Sequence, residues 1–153
     1  MRLQKILVGA MHGVHLLTRP MTLGVRGAAF DAQGRIFLVR HTYIRGWYMP
    51  GGGVDAGEAA EDALLRELSE EGNLEVEARP TLIGVYCNNT QSKRDHVILY
   101  RCDGVTQHEV KTPDREIAES GFFTLDNLPD GLTDATRRRL DELAGRQPID
   151  RYW

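Results

Sequence analysis

Three glutamates, Glu67, Glu70 and Glu71, fall at positions i, i+3 and i+4. On a helix that spacing puts all three on one face. Clustered carboxylates are hard oxygen donors suited to Mg2+, with Mn2+ as the second candidate ion. From Glu58 to Glu71 the chain carries six acidic residues (58, 61, 62, 67, 70 and 71) against one basic residue, Arg66. Acid at the C-terminal end of a helix opposes the helix dipole, and a divalent cation would offset that cost. Arg66, four residues before Glu70, is spaced to orient that carboxylate. An acidic helix face also suits plain solvation, and the helix alone does not decide between the two.

Ahead of the helix stands Pro50-Gly51-Gly52-Gly53, followed by Val54-Asp55-Ala56-Gly57. Without Cβ atoms this run can adopt positive φ and pass close to a ligand. A helix beginning near Glu58 would offer its first N–H groups to phosphates. On the other side of that helix, Ala60, Ala63, Leu64 and Leu68 form an apolar stripe fit to anchor it to a sheet.

The flanking elements follow from periodicity and breakers. Leu3, Ile6, Leu7, Ala10, Met11, Val14 and Leu17 recur at helical steps, which predicts a helix over residues 3–17 as an N-terminal extension, residues 1–19. Its stripe is expected to cover an edge of the core; the alternative is a dimer or membrane-surface arm, which would make a homodimer through this helix. Residues 20–153 read as a single domain. Thr22–Phe30 and Ile36–Val39 read as a hairpin around Asp31–Gly34, and Trp47–Met49 as a short strand. Further strands are expected at 74–76, 81–87, 96–102 and around Gly121–Thr124, with a helix over Thr133–Ala144 stopped by Gly145. The order of strands and helices predicts an α+β fold, a mixed β-sheet sandwiched between helices. The Arg137-Arg138-Arg139 run reads as a solvated face of the last helix.

With 153 residues, 41% hydrophobic and 27% charged, the chain suits one globular domain. A net charge of −3 argues against a nucleic-acid partner recognised by bulk charge. The N-terminal apolar run is broken by His12 and His15, which excludes a signal peptide and a membrane span. Cys87 and Cys102 lack metal or disulfide spacing and read as reduced core thiols, which makes the cytoplasm the default compartment.

Gly52, Glu58, Arg66-Glu67-Leu68-Ser69-Glu70-Glu71 and Gly72-Asn73-Leu74 together resemble the Nudix box, G-x5-E-x7-R-E-U-x-E-E-x-G-U, with U a bulky aliphatic residue. Asn73 stands at the usual Gly position; Asn tolerates the left-handed conformation that ends a helix. Trp47-Tyr48-Met49-Pro50 and the later Phe122–Pro129 stretch are similar to the family's flanks, so the resemblance spans roughly residues 20–145. It implies Mg2+-dependent hydrolysis of a diphosphate linkage in a small-molecule substrate such as a nucleoside diphosphate derivative. Glu67, Glu70 and Glu71 would hold the metal, with Gly52 letting the backbone approach it. Glu58 and Arg66 would act behind them, orienting loop and helix. A further carboxylate, Glu116 or alternatively Glu119, would act as base or complete the metal site. A non-catalytic metabolite-binding module on the same fold is the alternative. For the substrate, Arg40, His41, Tyr43 and Trp47 are the first candidates, with Arg26, Arg45, Tyr86 and the Lys93-Arg94 loop behind them. Each also reads as surface charge or core aromatic.

Overall fold

The computed structural model describes residues 2–153. Helix α1 (Arg2–Thr18) precedes a hairpin of β1 (Thr22–Phe30) and β2 (Ile36–His41). The Asp31 carboxylate closes the hairpin turn by accepting the Gln33 and Arg35 backbone N–H groups. There follow α2 (Ala60–Gly72), β3 (Leu74–Glu75), β4 (Thr81–Cys87), β5 (Asp95–Asp103), β6 (Thr106–Gln107), β7 (Ile117–Phe123) and α3 (Asp134–Leu143). Five strands form one sheet in the order β4-β5-β1-β2-β7, and β3 and β6 form a small second sheet. The large sheet is mixed: β1 runs parallel to β5 and its other neighbours pair antiparallel.

Alternation along the strands builds two cores. Val25, Ala29, Phe37 and Val39 face α2 and meet its stripe of Ala63, Leu64 and Leu68. Leu64 and Leu68 are fully buried, each worth roughly 1.5–3 kcal/mol of apolar burial. Ala28, Ile36, Leu38 and Leu99 face the other way, onto Leu132 and Leu140 of the α3 layer. The expected sheet between helices is therefore the observed one.

β1 and β2 pair directly only at Phe30 and Ile36, next to the turn. Beyond that they diverge, and residues 48–54 fill the gap. Val39 and Tyr48 exchange both backbone hydrogen bonds at 2.9 Å; Gly27 N–H donates to Pro50 O, Val25 N–H to Gly52 O and Val54 N–H to Leu23 O. The expected strand at 47–49 is thus a set of single bridges within a wedge. This wedge holds the glycine run in the plane of the sheet.

Four expectations need correction. α2 begins at Ala60 rather than near Glu58. Glu58 is held outside it by a turn, its N–H donating to Asp55 O while its carboxylate accepts the Asp55 N–H. The glycines do not lie at the N-terminus of α2: Gly51 N–H donates to Glu71, in the last turn. α1 forms, but its described side chains at residues 11–18 are all exposed, Leu17 to 84%. Arg139 is fully buried, whereas Arg137 and Arg138 are exposed as expected.

Cys87 and Cys102 are free thiols, and burial pushes Cys102 up to about 12. Among the described residues, no helix is long and apolar enough to cross a membrane.

Asn73 takes the left-handed conformation, φ 50° and ψ 38°, and its N–H caps the Leu68 and Ser69 carbonyls. The departure from the box therefore leaves the helix stop intact. Asn73→Ala is expected to lower stability by about 1–2 kcal/mol, and Asn73→Gly to change it by less than about 1 kcal/mol. Thermal denaturation of the two variants checks both values.

Candidate active site

The last two turns of α2 lie against the glycine wedge. Gly51 has φ +142°, and a Cβ there would collide with the Val25 carbonyl. A Cβ on Gly52 would collide with the Glu67 carboxylate. Only glycine at these positions lets backbone and carboxylates approach this closely. Arg26, half-buried on β1, ties the wedge down by donating from Nη1 to Met49 O at 3.0 Å and Gly51 O at 2.8 Å.

Glu71 is the buried member of the acidic face, 6% exposed. Gly51 N–H donates to its Oε2 at 2.7 Å. Desolvation pushes its carboxyl up to about 7, against the Gly51 hydrogen bond and the Arg26 charge, and the negative charges of Glu67 and Glu116 add to the rise. Glu67 is drawn to Arg66 Nη1 at 2.7 Å, while the more exposed Glu70 lies 3.5 Å from the same nitrogen. Among the described residues, no three carboxylate, imidazole or thiol groups converge on one point. The three glutamates share a face but their like charges are held apart, one on a backbone N–H and one on a guanidinium. A carboxylate this buried, with two others close enough to raise its pKa, has the donor chemistry of a hard divalent cation site. The Gly52 cradle fits the same reading.

Arg66 is a clamp. It donates from Nε and Nη2 to both oxygens of Glu58, at 2.9 and 3.1 Å, and from Nη2 to Gly53 O at 3.1 Å. Those bonds hold the Glu58 carboxyl below, and the Arg66 guanidinium above, its ordinary range. One side chain thus fixes the loop, the glycine run and the acidic end of α2 to one another.

The two further carboxylates separate cleanly. Glu119 is paired across β2 and β7 with Arg40, at 2.6 Å, in register. Glu116 precedes the bulge where His41 pairs with Ile117, and its charge reaches both Glu71 and the Tyr43 hydroxyl. Burial first, and then Glu71, Glu116 and Glu67, push Tyr43 up, while Arg26 opposes them. Glu116 therefore stands with the α2 carboxylates and Glu119 does not.

The sequence-derived substrate candidates divide. His41 is buried on the α2 face, with Nε2 3.8 Å from Glu71 Oε1, too long for a hydrogen bond. Burial, and then Arg26, hold it below its ordinary pKa; the Glu116 backbone opposes this weakly, without meeting hydrogen-bond geometry at Nδ1. Tyr43 is exposed over the His41 ring, with centroids 5.1 Å apart. Arg40, Tyr43 and Arg45 rim a cleft of about 530 Å3. Trp47 and Tyr86 are core aromatics: Trp47 packs edge-on against Phe123, and Tyr86 donates to Glu142. Trp47 is thus corrected from substrate contact to core, because the Val39–Tyr48 bridge turns it toward the α3 layer. A second cleft of about 630 Å3 opens beside Gly52 and Gly53, lined also by Arg26, Tyr48 and Asn88. Sequence reasoning missed Arg26's hold on the wedge and this cleft's far wall, since both are made by residues distant in the chain.

The family model described as NUDIX domain matches residues 20–143. The chain is 40% identical over 83 residues to an ADP-ribose pyrophosphatase of Methanocaldococcus jannaschii, an alignment covering 53% of this chain and 47% of the relative. The chain thus spans about half the length of that relative. It is 44% identical over 130 residues to the "Putative 8-oxo-dGTP diphosphatase" of Bacillus subtilis, covering 84% and 85% of the two chains. The crystal structure of a MutT NUDIX hydrolase from Burkholderia pseudomallei is similar to it, with a TM-score of 0.67 and 30% identity over 80% of this chain and 97% of that one.

Proposed function

The chain belongs to the Nudix family, and on that premise we propose that it hydrolyses a diphosphate linkage in a nucleoside diphosphate derivative or similar metabolite, using Mg2+ or, in its place, Mn2+. The observation that carries this is the buried Glu71 carboxylate, fixed by Gly51 N–H beside Glu67 and within reach of the Glu116 charge. Glu67, Glu70 and Glu71 would hold the ion, next to the backbone at Gly52. When bound, such an ion neutralises phosphate charge and acidifies or positions a water.

The protein's own groups supply the rest. Arg66 holds the glycine run and the helix in register, which keeps the carboxylates beside the wedge. Arg26 lies beside the wedge and uses Nη1 to hold it, which leaves the N–H groups of Nε and Nη2 for phosphate oxygens. Glu116, exposed and outside the Arg40 ion pair, is positioned as the base or as an added metal ligand.

The test is a panel of nucleoside triphosphates, ADP-ribose, dinucleoside polyphosphates and non-nucleotide diphosphates, with phosphate and pyrophosphate release followed with Mg2+ and with EDTA. Turnover that needs the metal supports the proposal. No turnover across the panel by a folded, metal-binding protein would shift the assignment to a binding module.

A further inference from the structure

The exposed side chains of α1 are sorted by type around the helix. Met11, Val14 and Leu17 recur at i, i+3 and i+6 and so share one side, with Met11 59% and Val14 57% exposed. The sequence sets Leu3, Ile6, Leu7 and Ala10 at the same period. Exposed apolar side chains continue through Met21 to Leu23 at the start of β1. His12, His15 and Arg19, at i, i+3 and i+7, fall on the other side of the helix turn, and Lys5 is in phase with them. Leu16 is the exception, an exposed apolar side chain toward the cationic side.

Charge sets this helix apart from the rest of the chain. All 22 acidic residues lie after position 30, whereas Arg2, Lys5, Arg19 and Arg26 precede it. The helices that pack on the sheet are not built this way: α2 has Arg66 among its glutamates, and α3 has Arg137 and Arg138 beside Asp134 and Asp141. The 17 residues of α1 make a rod about 26 Å long, with cations too early and too many to span a bilayer. An apolar stripe backed by cations alone suits a helix lying in the plane of an anionic lipid surface, the stripe among the acyl chains and the cations at the headgroups. Pairing with α1 of a second copy would instead set like charges beside one another.

We propose that α1 docks the protein on a membrane surface containing anionic lipid, through the stripe of Met11, Val14 and Leu17, with Lys5 and Arg19 at the headgroups. This stands apart from the hydrolase reading and needs neither metal nor substrate.

Flotation of the full chain with vesicles tests it, using phosphatidylcholine alone and phosphatidylcholine with phosphatidylglycerol in equal parts. Wild type should bind the mixed vesicles about tenfold or more tighter than the neutral ones, and raised salt should erase most of that preference. Met11→Ala/Val14→Ala/Leu17→Ala, which keeps helix propensity, should weaken binding to mixed vesicles about tenfold or more. Lys5→Gln/Arg19→Gln should weaken it about tenfold and leave binding to neutral vesicles within about twofold. Both variants should melt with wild type. No flotation, or equal flotation with both vesicle types, overturns the proposal, as does wild-type binding by the triple alanine variant. A lower melting temperature for either variant also overturns it, because α1 would then pack on the body of the protein. Self-association of wild type without flotation, abolished in the triple alanine variant, assigns the stripe to a second copy and overturns the membrane.

Discussion

Glu71→Gln should lower kcat by about a thousandfold or more, with the fold intact. Gln keeps the shape of Glu and an oxygen for the Gly51 N–H, but it loses the charge that would hold a cation. The same change should stabilise the metal-free protein at pH 8. In the fold, burial pushes the Glu71 carboxyl up to about 7 from an ordinary 4.5. Below pH 4.5 both folded and unfolded chains are protonated at this group, and it contributes no pH dependence. Between 4.5 and 7 the folded chain binds more protons than the unfolded one, so stability falls as pH rises, by about 3 kcal/mol once both are ionised. Glu71→Gln removes that slope. Denaturant melts of metal-free wild type and variant at pH 5 and pH 8, beside a turnover assay with Mg2+, check the pair of effects. A variant that is both inactive and less stable at pH 8 would contradict this account of the buried carboxylate.

Arg139→Ala should destabilise the protein by about 3–5 kcal/mol. Arg139 and Glu142 form an ion pair at 2.7 Å with both side chains fully buried. Glu142 also accepts from the Tyr86 hydroxyl at 2.8 Å and the Asp150 N–H at 3.0 Å. Removing the guanidinium leaves a buried carboxylate without its counter-charge and the Tyr152 carbonyl without its donor. It also removes the cation packed 4.3 Å from the Tyr86 ring centroid. Replacing both partners, Arg139→Met with Glu142→Leu, should recover part of the loss, because no charge is then stranded although the Tyr86 hydroxyl loses its acceptor. Thermal melts of the single and double variants measure this, and a single variant within about 1 kcal/mol of wild type would contradict it.

These two effects differ in how far they can be read from the chain. Glu67, Glu70 and Glu71 were legible because helix spacing is local, and the Ala63, Leu64 and Leu68 stripe fixed which side faces the sheet. Strands β4 and β5 were legible from alternation around a polar turn. Asn73 was legible because its left-handed geometry depends on its own side chain. Arg139 was not, although Glu142 follows at i+3, because three consecutive arginines look solvated until a returning tail covers one of them. The choice between Glu116 and Glu119 needed the register of β2 against β7, which places Arg40 opposite Glu119. The Gly51–Glu71 contact needed the wedge between β1 and β2, a consequence of strands diverging rather than of any local pattern. The tail from Gln147 to Trp153 carried no signal, because it lay outside every predicted element.

On the proposed function, the acidic end of α2 and the glycine wedge would together hold a divalent cation. Titration of Mn2+ at pH 8, followed by the electron paramagnetic resonance of the free ion, tests this most directly. Wild type is predicted to take up at least one ion per chain, and Glu67→Gln/Glu70→Gln/Glu71→Gln to release it at the same concentrations while remaining folded. Equal uptake by that triple variant, or none by wild type, would contradict the site.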